Sequence, residues 1–120
     1  MAIRNTALNP TNASSVAVAS RIRERVRVPK RQLAAFCQRY HVKSLALFGS
    51  VLRDDFRPDS DIDVLVEFQP GKTPGLFTIV DMEDELSALF ENRKVDLRTA
   101  QDLSRFFRDK VVREAQPICP

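Results

Sequence analysis

The sequence predicts an α/β domain in which helices pack on a small mixed β-sheet. Three stretches repeat apolar residues at helical spacing. Three others are short apolar runs or alternate between apolar and polar residues, as strands do. Along the chain these elements follow the order helix, strand, short helix, strand, helix, strand, helix. The order of the strands within the sheet does not follow from this pattern.

Composition sets the outer bounds of the prediction. A chain of 120 residues is expected to form one domain with a modest core. Hydrophobic residues make up 43% of it and only 3 residues are glycine, which is typical of a globular protein. No apolar run approaches the length of a membrane span, so no membrane partner is expected. The two cysteines lack metal-type spacing and are predicted to be free thiols of a cytoplasmic protein.

Charge is unevenly distributed along the chain. Residues 1–53 carry ten Lys and Arg against one acidic residue, a balance of +9, whereas residues 54–120 carry nine against fifteen, a balance of −6. A basic first half could bind nucleic acid, an acidic partner or a triphosphate. A solvated basic surface explains the same pattern equally well.

The first 27 residues are predicted to be a poorly ordered N-terminal extension, and residues 28–118 the folded domain. Residues 1–20 are rich in Ala, Ser, Asn and Thr and show no sustained period. Residues 21–30 alternate weakly, as a strand or a basic arm would. A helix is then predicted over residues 29–40, with Pro29 at its first position and with an apolar stripe formed by Leu33, Phe36 and Cys37.

Residues 44–68 organise the rest of the chain. Residues 44–48 are almost wholly apolar and predict a strand covered on both faces. Gly49 ends this run, where the backbone must turn or a ligand must approach closely. Ser50 places a small hydroxyl beside backbone N–H groups at the start of a short helix, which would suit a phosphate. Residues 54–60 are charged, contain Pro58 and are predicted to be a loop.

A second strand is predicted over residues 61–68, with alternating apolar and polar positions. Asp61 and Asp63 lie on one face of it. Residues two apart on a strand have Cα atoms about 6.6–6.8 Å apart and parallel side chains. Two carboxylates at this spacing can converge on a divalent ion, and hard oxygen ligands favour Mg²⁺ or Mn²⁺.

The last third of the chain predicts a helix, a strand and a helix. The first, over residues 76–90, has an apolar stripe and an acidic opposite face. The strand over residues 94–99 turns Asp96 outward. The final helix is predicted to begin at Asp102 as a cap and to end before Pro117. Its inner side would comprise Leu103, Phe106, Phe107, either Lys110 or Val111, and Ala115.

These motifs together resemble the signature of the minimal nucleotidyltransferase family, part of the DNA polymerase β-like nucleotidyltransferase superfamily. The resemblance rests on Gly49-Ser50, a gap of ten residues, Asp61-x-Asp63, and Asp96 on a later strand. It covers residues 28–118 and implies the palm fold of that superfamily. One departure is Asp54, where many members of the family have glycine or another small residue. This difference concerns the shape of the loop rather than the ligand set.

The resemblance implies roles for the motif residues. Asp61 and Asp63 would hold two Mg²⁺ ions together with a bound nucleoside triphosphate, expected to be ATP. Asp96 would ligate the ion nearer the acceptor hydroxyl and act in effect as the base. Gly49 would admit the phosphates to the backbone, and Ser50 would hydrogen-bond their β and γ oxygens.

The same resemblance implies a protein adenylyltransferase antitoxin, which transfers AMP from ATP to a tyrosine of a HEPN-domain toxin. A chain this short has no room for a separate substrate domain, so the acceptor is expected to be a macromolecule that docks. Two alternatives stay open on the sequence. One is a non-catalytic nucleotide-binding module that neutralises its partner by occlusion. The other is a nucleic-acid-binding protein that uses the basic residues 21–31.

Overall fold

The computed structural model describes residue 22 and residues 25–119. Four strands, three α-helices and two 3₁₀ turns alternate in this part of the chain. None of the helices in the described residues is long and apolar enough to cross a membrane. In chain order the elements are α1 (Lys30–Arg39), β1 (Val42–Phe48), a 3₁₀ turn (Gly49–Leu52), β2 (Ile62–Phe68), α2 (Leu76–Leu89), β3 (Val95–Arg98), a second 3₁₀ turn (Ala100–Asp102), α3 (Arg108–Glu114) and β4 (Gln116–Cys119).

The four strands form one mixed sheet in the order β3-β2-β1-β4. Strand β1 runs antiparallel to both of its neighbours, β2 and β4. Strands β2 and β3 are parallel, and helix α2 makes the crossover between them. The predicted fold class, a small mixed sheet with packed helices, is therefore confirmed.

Alternating burial fixes the pairing of the two central strands. Ile62, Val64 and Val66 of β2 are buried on one face, as the sequence pattern predicts. Strand β1 also alternates: Leu45 and Leu47 are fully buried, whereas the residues between and after them are only partly buried. The second face of β1 is thus less fully covered than its apolar sequence predicts. A shift of one residue would expose the buried set, so the register is strongly specified.

Helices α1 and α2 supply the remainder of the core. Leu33 and Phe36 of α1 and Met82 and Leu86 of α2 are wholly buried. Apolar stripes at helical spacing on both helices meet the buried face of the sheet, which is the packing that the sequence predicts.

The core also includes residues ahead of α1. Ile22 and Val26 are 5% and 4% exposed. The Val26 N–H donates a hydrogen bond to the Ile22 carbonyl at 2.8 Å, as in a helical turn. Both belong to the segment predicted as an extension, whose residues 1–21, 23 and 24 lie outside the described part. Within the described part, the packed core reaches back to residue 22.

The C-terminal region differs from the single helix that the sequence predicts. A 3₁₀ turn occupies Ala100–Asp102, and the helix begins only at Arg108. Phe106 and Phe107 are 86% and 52% exposed, so their assignment to the core was wrong. Pro117 lies within β4, an edge strand that the sequence analysis missed.

Local hydrogen bonds explain this path. The Thr99 N–H donates to the carboxylate of Asp102 at 3.0 Å and stabilises the 3₁₀ turn. The Arg108 guanidinium donates to the carbonyls of Ala100 and Leu103 at 2.7 and 3.1 Å. These side chains satisfy backbone groups that a continuous helix would have used, so the chain turns instead of continuing as a helix.

Candidate active site

Gly49 forms a sharp turn at the end of β1. Its φ is +77°, in the left-handed region that costs other L-residues about 1–2 kcal/mol. A Cβ at this position would also collide with the carboxylate of Asp63, whose Cγ would lie 3.1 Å away. Glycine is therefore required both for the backbone conformation and for the close approach of Asp63. Ser50 follows in the 3₁₀ turn, and its carbonyl accepts a hydrogen bond from the Arg53 N–H at 2.9 Å.

The sheet register places Asp63 at the centre of the site. Asp63 is the register partner of Phe48 on one side and of Asp96 on the other. Partners on adjacent strands point to the same face, so the two carboxylates lie side by side. Asp61 precedes the strand, at the same end of the sheet. That end therefore brings together the carboxyl terminus of β1 and the amino termini of β2 and β3.

All five residues singled out in the sequence consequently lie at this end of the sheet. They are Gly49, Ser50, Asp61, Asp63 and Asp96. The contact that no sequence pattern could supply is the pairing of Asp63 with Asp96, because it depends on strand order.

The surroundings of Asp63 disfavour its negative charge. Burial raises the pKa of this carboxyl, and the negative charges of Asp96 and Asp61 raise it further, while Arg53 and Arg98 act in the opposite direction. A half-buried carboxylate that is repelled by two others is a place where a bound cation would relieve repulsion.

Two cations of the chain itself approach the outer carboxylates. Arg98 donates to both oxygens of Asp96, at 3.0 and 3.3 Å, in a forked arrangement. Lys94 lies more loosely, with its Nζ 3.9 Å from Asp61. Sequence analysis did not single out Arg98. The available signal was its position two residues after Asp96 on the same strand, which puts both on one face.

The donor set fits a divalent cation. The three aspartates offer hard oxygen ligands, the type that Mg²⁺ prefers. Within residues 22 and 25–119, no three His, Cys, Asp or Glu side chains form a closed metal-binding cluster. The aspartates are instead close enough for their charges to raise the pKa of Asp63, with Arg98 and Lys94 as counter-ions. The observation in favour of a cation is this repulsion among oxygen ligands.

A cleft of about 500 Å³ opens beside Asp96, between the start of α2 and the edge strand β3. Leu76 and Val80 line its α2 side, and Arg98 lies on the β3 side. The Leu97 N–H, on the outer edge of β3, donates to the carboxylate of Glu83 at 2.8 Å. Helix α2 thereby ties down the short strand that carries Asp96.

Known proteins are similar to this chain in sequence. The family model described as a nucleotidyltransferase domain matches residues 29–119. The protein MJ1215 of Methanocaldococcus jannaschii, assigned as a protein adenylyltransferase, is 39% identical over 84 residues, covering 70% of this chain and 91% of that protein. The protein adenylyltransferase MntA of Thermococcus cleftensis is 35% identical over 77 residues, covering 64% of this chain and 75% of that protein.

Solved structures agree with the fold. A structure assigned as a minimal nucleotidyltransferase superposes with a TM-score of 0.60 at 33% identity, covering 73% of this chain and 87% of that one. A toxin–antitoxin structure with AMP-PNP gives a TM-score of 0.59 at 18% identity, covering 75% of this chain and 72% of that one, and so supports the fold alone. The family match spans most of the chain and includes the Gly49–Leu52 turn, strands β1 to β3 and all three aspartates of the site. This chain therefore belongs to the nucleotidyltransferase domain family and is a nucleotidyltransferase.

Proposed function

We propose that this protein is a cytoplasmic, Mg²⁺-dependent protein adenylyltransferase antitoxin that transfers AMP from ATP to a tyrosine of a partner HEPN-domain toxin. The observation that carries the proposal is the position of Asp63. Asp63 pairs with Asp96 on the neighbouring strand. On its other side it lies so close to Gly49 that a side chain at position 49 would collide with it. The relatives named as protein adenylyltransferases support a protein as the acceptor.

The positions of the aspartates on the sheet support the roles proposed for them. Asp61 and Asp63 would hold the Mg²⁺ ions, and bound cations would relieve the repulsion at Asp63, which is half-buried beside two other carboxylates. Asp96 lines the cleft in which the acceptor is proposed to dock. When bound, the ions supply charge neutralisation on the triphosphate.

The transfer breaks a phosphoanhydride bond of ATP and forms a phosphoester bond to the acceptor. The acceptor oxygen forms a bond to the α-phosphorus of ATP, the bond from that phosphorus to the bridging oxygen breaks, and pyrophosphate leaves. The proton of the acceptor hydroxyl passes to Asp96. Gly49 and Ser50 position the triphosphate at the end of β1, so the chain contributes mainly orientation and electrostatics.

A labelling experiment tests this proposal. The full chain is incubated with Mg²⁺, α-labelled ATP and the product of the neighbouring reading frame. We expect label on the tyrosine of that partner with the unsubstituted chain and none with Asp63→Asn. The matched control is Asp59→Asn, which makes the same change in charge at an exposed loop position and should retain transfer. Full transfer by Asp63→Asn would contradict the proposal.

A second candidate function is neutralisation by occlusion, without catalysis. It is favoured by large apolar side chains that are unusually exposed, since Leu76, Phe77 and Phe106 are 75%, 87% and 86% exposed. Such side chains suit a protein-binding surface. If the partner co-purifies without label, and Asp63→Asn still protects cells from it, occlusion accounts for the function.

A further inference from the structure

Arg25 connects the segment ahead of α1 to the turn that follows β1. Its guanidinium donates to the carbonyl of Val51 at 3.0 Å and also to the carbonyl of Arg53. These carbonyls lie immediately beyond Ser50, within and just after the Gly49–Leu52 turn. We infer that Arg25 is a positioning residue, which holds the phosphate-binding turn in place for the triphosphate. This inference rests on the proposed function of that turn.

The backbone of Arg25 is itself held. Ile22 and Val26, on either side of it in the sequence, are buried in the core and share a helical hydrogen bond. A guanidinium on an anchored backbone loses less freedom when it binds than one on a free arm. The segment lies outside the residues that match the nucleotidyltransferase family model, which begin at residue 29.

A second arginine extends the contact along the same loop. Arg93, just before β3, donates to the carbonyls of Arg57 and Ser60 at 2.8 and 3.0 Å. The ring of Phe56 is contacted by both guanidinium groups, with Cζ of Arg25 5.7 Å and Cζ of Arg93 4.5 Å from its centroid. The loop between Ser50 and Asp61 is therefore tied to the domain at several points along its length.

This arrangement has a specific functional consequence. The hydrogen bonds that the described residues show for the Arg25 guanidinium go to backbone carbonyls of the turn, so its loss removes no direct partner of the three aspartates. Its loss does release the turn that carries Ser50, the residue proposed to bind the β and γ phosphates. Binding of a nucleotide that carries β and γ phosphates should therefore weaken, while binding of a monophosphate and the rate of the chemical step stay the same.

Binding measurements on the full chain test the inference. The probes are a non-hydrolysable ATP analogue and AMP, each with Mg²⁺, titrated by calorimetry. With Arg25→Ala we expect the Kd of the ATP analogue to rise about tenfold, or about 1.4 kcal/mol, and that of AMP to change little. In the transfer assay, the KM for ATP should rise with kcat unchanged. Arg27→Ala is the matched control, because it removes the same charge from an exposed position two residues away.

A conservative variant separates positioning from folding. Arg25→Lys keeps the charge and should recover part of the affinity, since an ammonium group can donate to either carbonyl but lacks the planar fork. If Arg25→Ala does not fold, Arg25→Lys tests the inference instead, because it should lose affinity for the ATP analogue but not for AMP. Equal affinities for Arg25→Ala and Arg27→Ala, or equal losses for the analogue and AMP, would overturn the inference. If the unsubstituted chain binds no nucleotide, the proposed function fails, and the inference with it.

Discussion

Replacing Gly49 by alanine should perturb the site in two separable ways. The first is backbone strain, since the left-handed conformation at φ +77° costs an alanine about 1–2 kcal/mol. The second is a collision, because the new Cβ would overlap the carboxylate of Asp63. The carboxylate must then move, and a displacement of about 1 Å in a catalytic group can reduce a rate about 100-fold.

Gly71→Ala isolates the first of these effects. Gly71 has a φ of +75°, nearly that of Gly49, but among the described residues other than its two chain neighbours no atom lies within 4 Å of the position of its Cβ. This variant should lose about 1–2 kcal/mol, or roughly 4–16 °C of Tm for a domain of this size, and keep its transfer activity. Gly49→Ala should lose more Tm and, in the folded protein, about 100-fold in transfer rate.

Thermal melts and the α-labelled ATP assay measure the two quantities. Backbone strain lowers the Tm of both Gly49→Ala and Gly71→Ala. The difference between the two variants in Tm and in transfer rate therefore measures the effect of moving Asp63. Suppose that Gly49→Ala has the same Tm as Gly71→Ala and transfers AMP at the normal rate. The position of Asp63 then does not depend on the open space at Gly49. The close contact would then have no catalytic role.

Three further outcomes are expected. Asp63→Asn should raise Tm by a few degrees at pH 7 in EDTA. The pKa of Asp63 is raised in the folded state, so its negative charge opposes folding at any pH above that pKa. The gain in Tm should vanish at about pH 3, which is below the usual pKa of an aspartate. An unchanged Tm at pH 7 would count against the repulsion. Glu83→Ala should cost about 1–3 kcal/mol in urea unfolding because the Leu97 N–H loses its acceptor, whereas Asp84→Ala, exposed on the same helix, should cost little. Cys37 should resist iodoacetamide at pH 8 until urea is added, since burial raises the pKa of its thiol to about 12; rapid labelling of the native protein would contradict this.

Much of the fold could be predicted because its patterns are local. The alternation in residues 61–68 predicts both the strand and its buried face, and the stripes of α1 and α2 predict helices within one or two residues of their observed bounds. The candidate site could be predicted for the same reason. Its glycine, serine and aspartates were singled out because their spacing resembles a family signature.

The parts that sequence analysis missed depend on contacts between distant segments. Strand β4 is four residues long, contains Pro117 and exists through its pairing with β1. The helix predicted from Asp102 was wrong because the side chains of Asp102 and Arg108 stabilise turns, which hydrophobic spacing does not indicate. The contacts of Arg25 join positions 26 and 28 residues apart, which no periodic pattern encodes.

The parallel pairing of β2 with β3 also bears on how the site assembles during folding. The turn at Gly49 and the antiparallel pair β1–β2 are close in sequence and can form early. Asp96 joins Asp63 only after the chain has passed through α2 and returned to the sheet, and closing such a long loop is slow. A partly folded molecule would thus carry the Gly49–Leu52 turn before it carried the acidic pair. Transfer activity should therefore appear only after β3 has docked beside β2, which makes the activity a sensitive reporter of that strand.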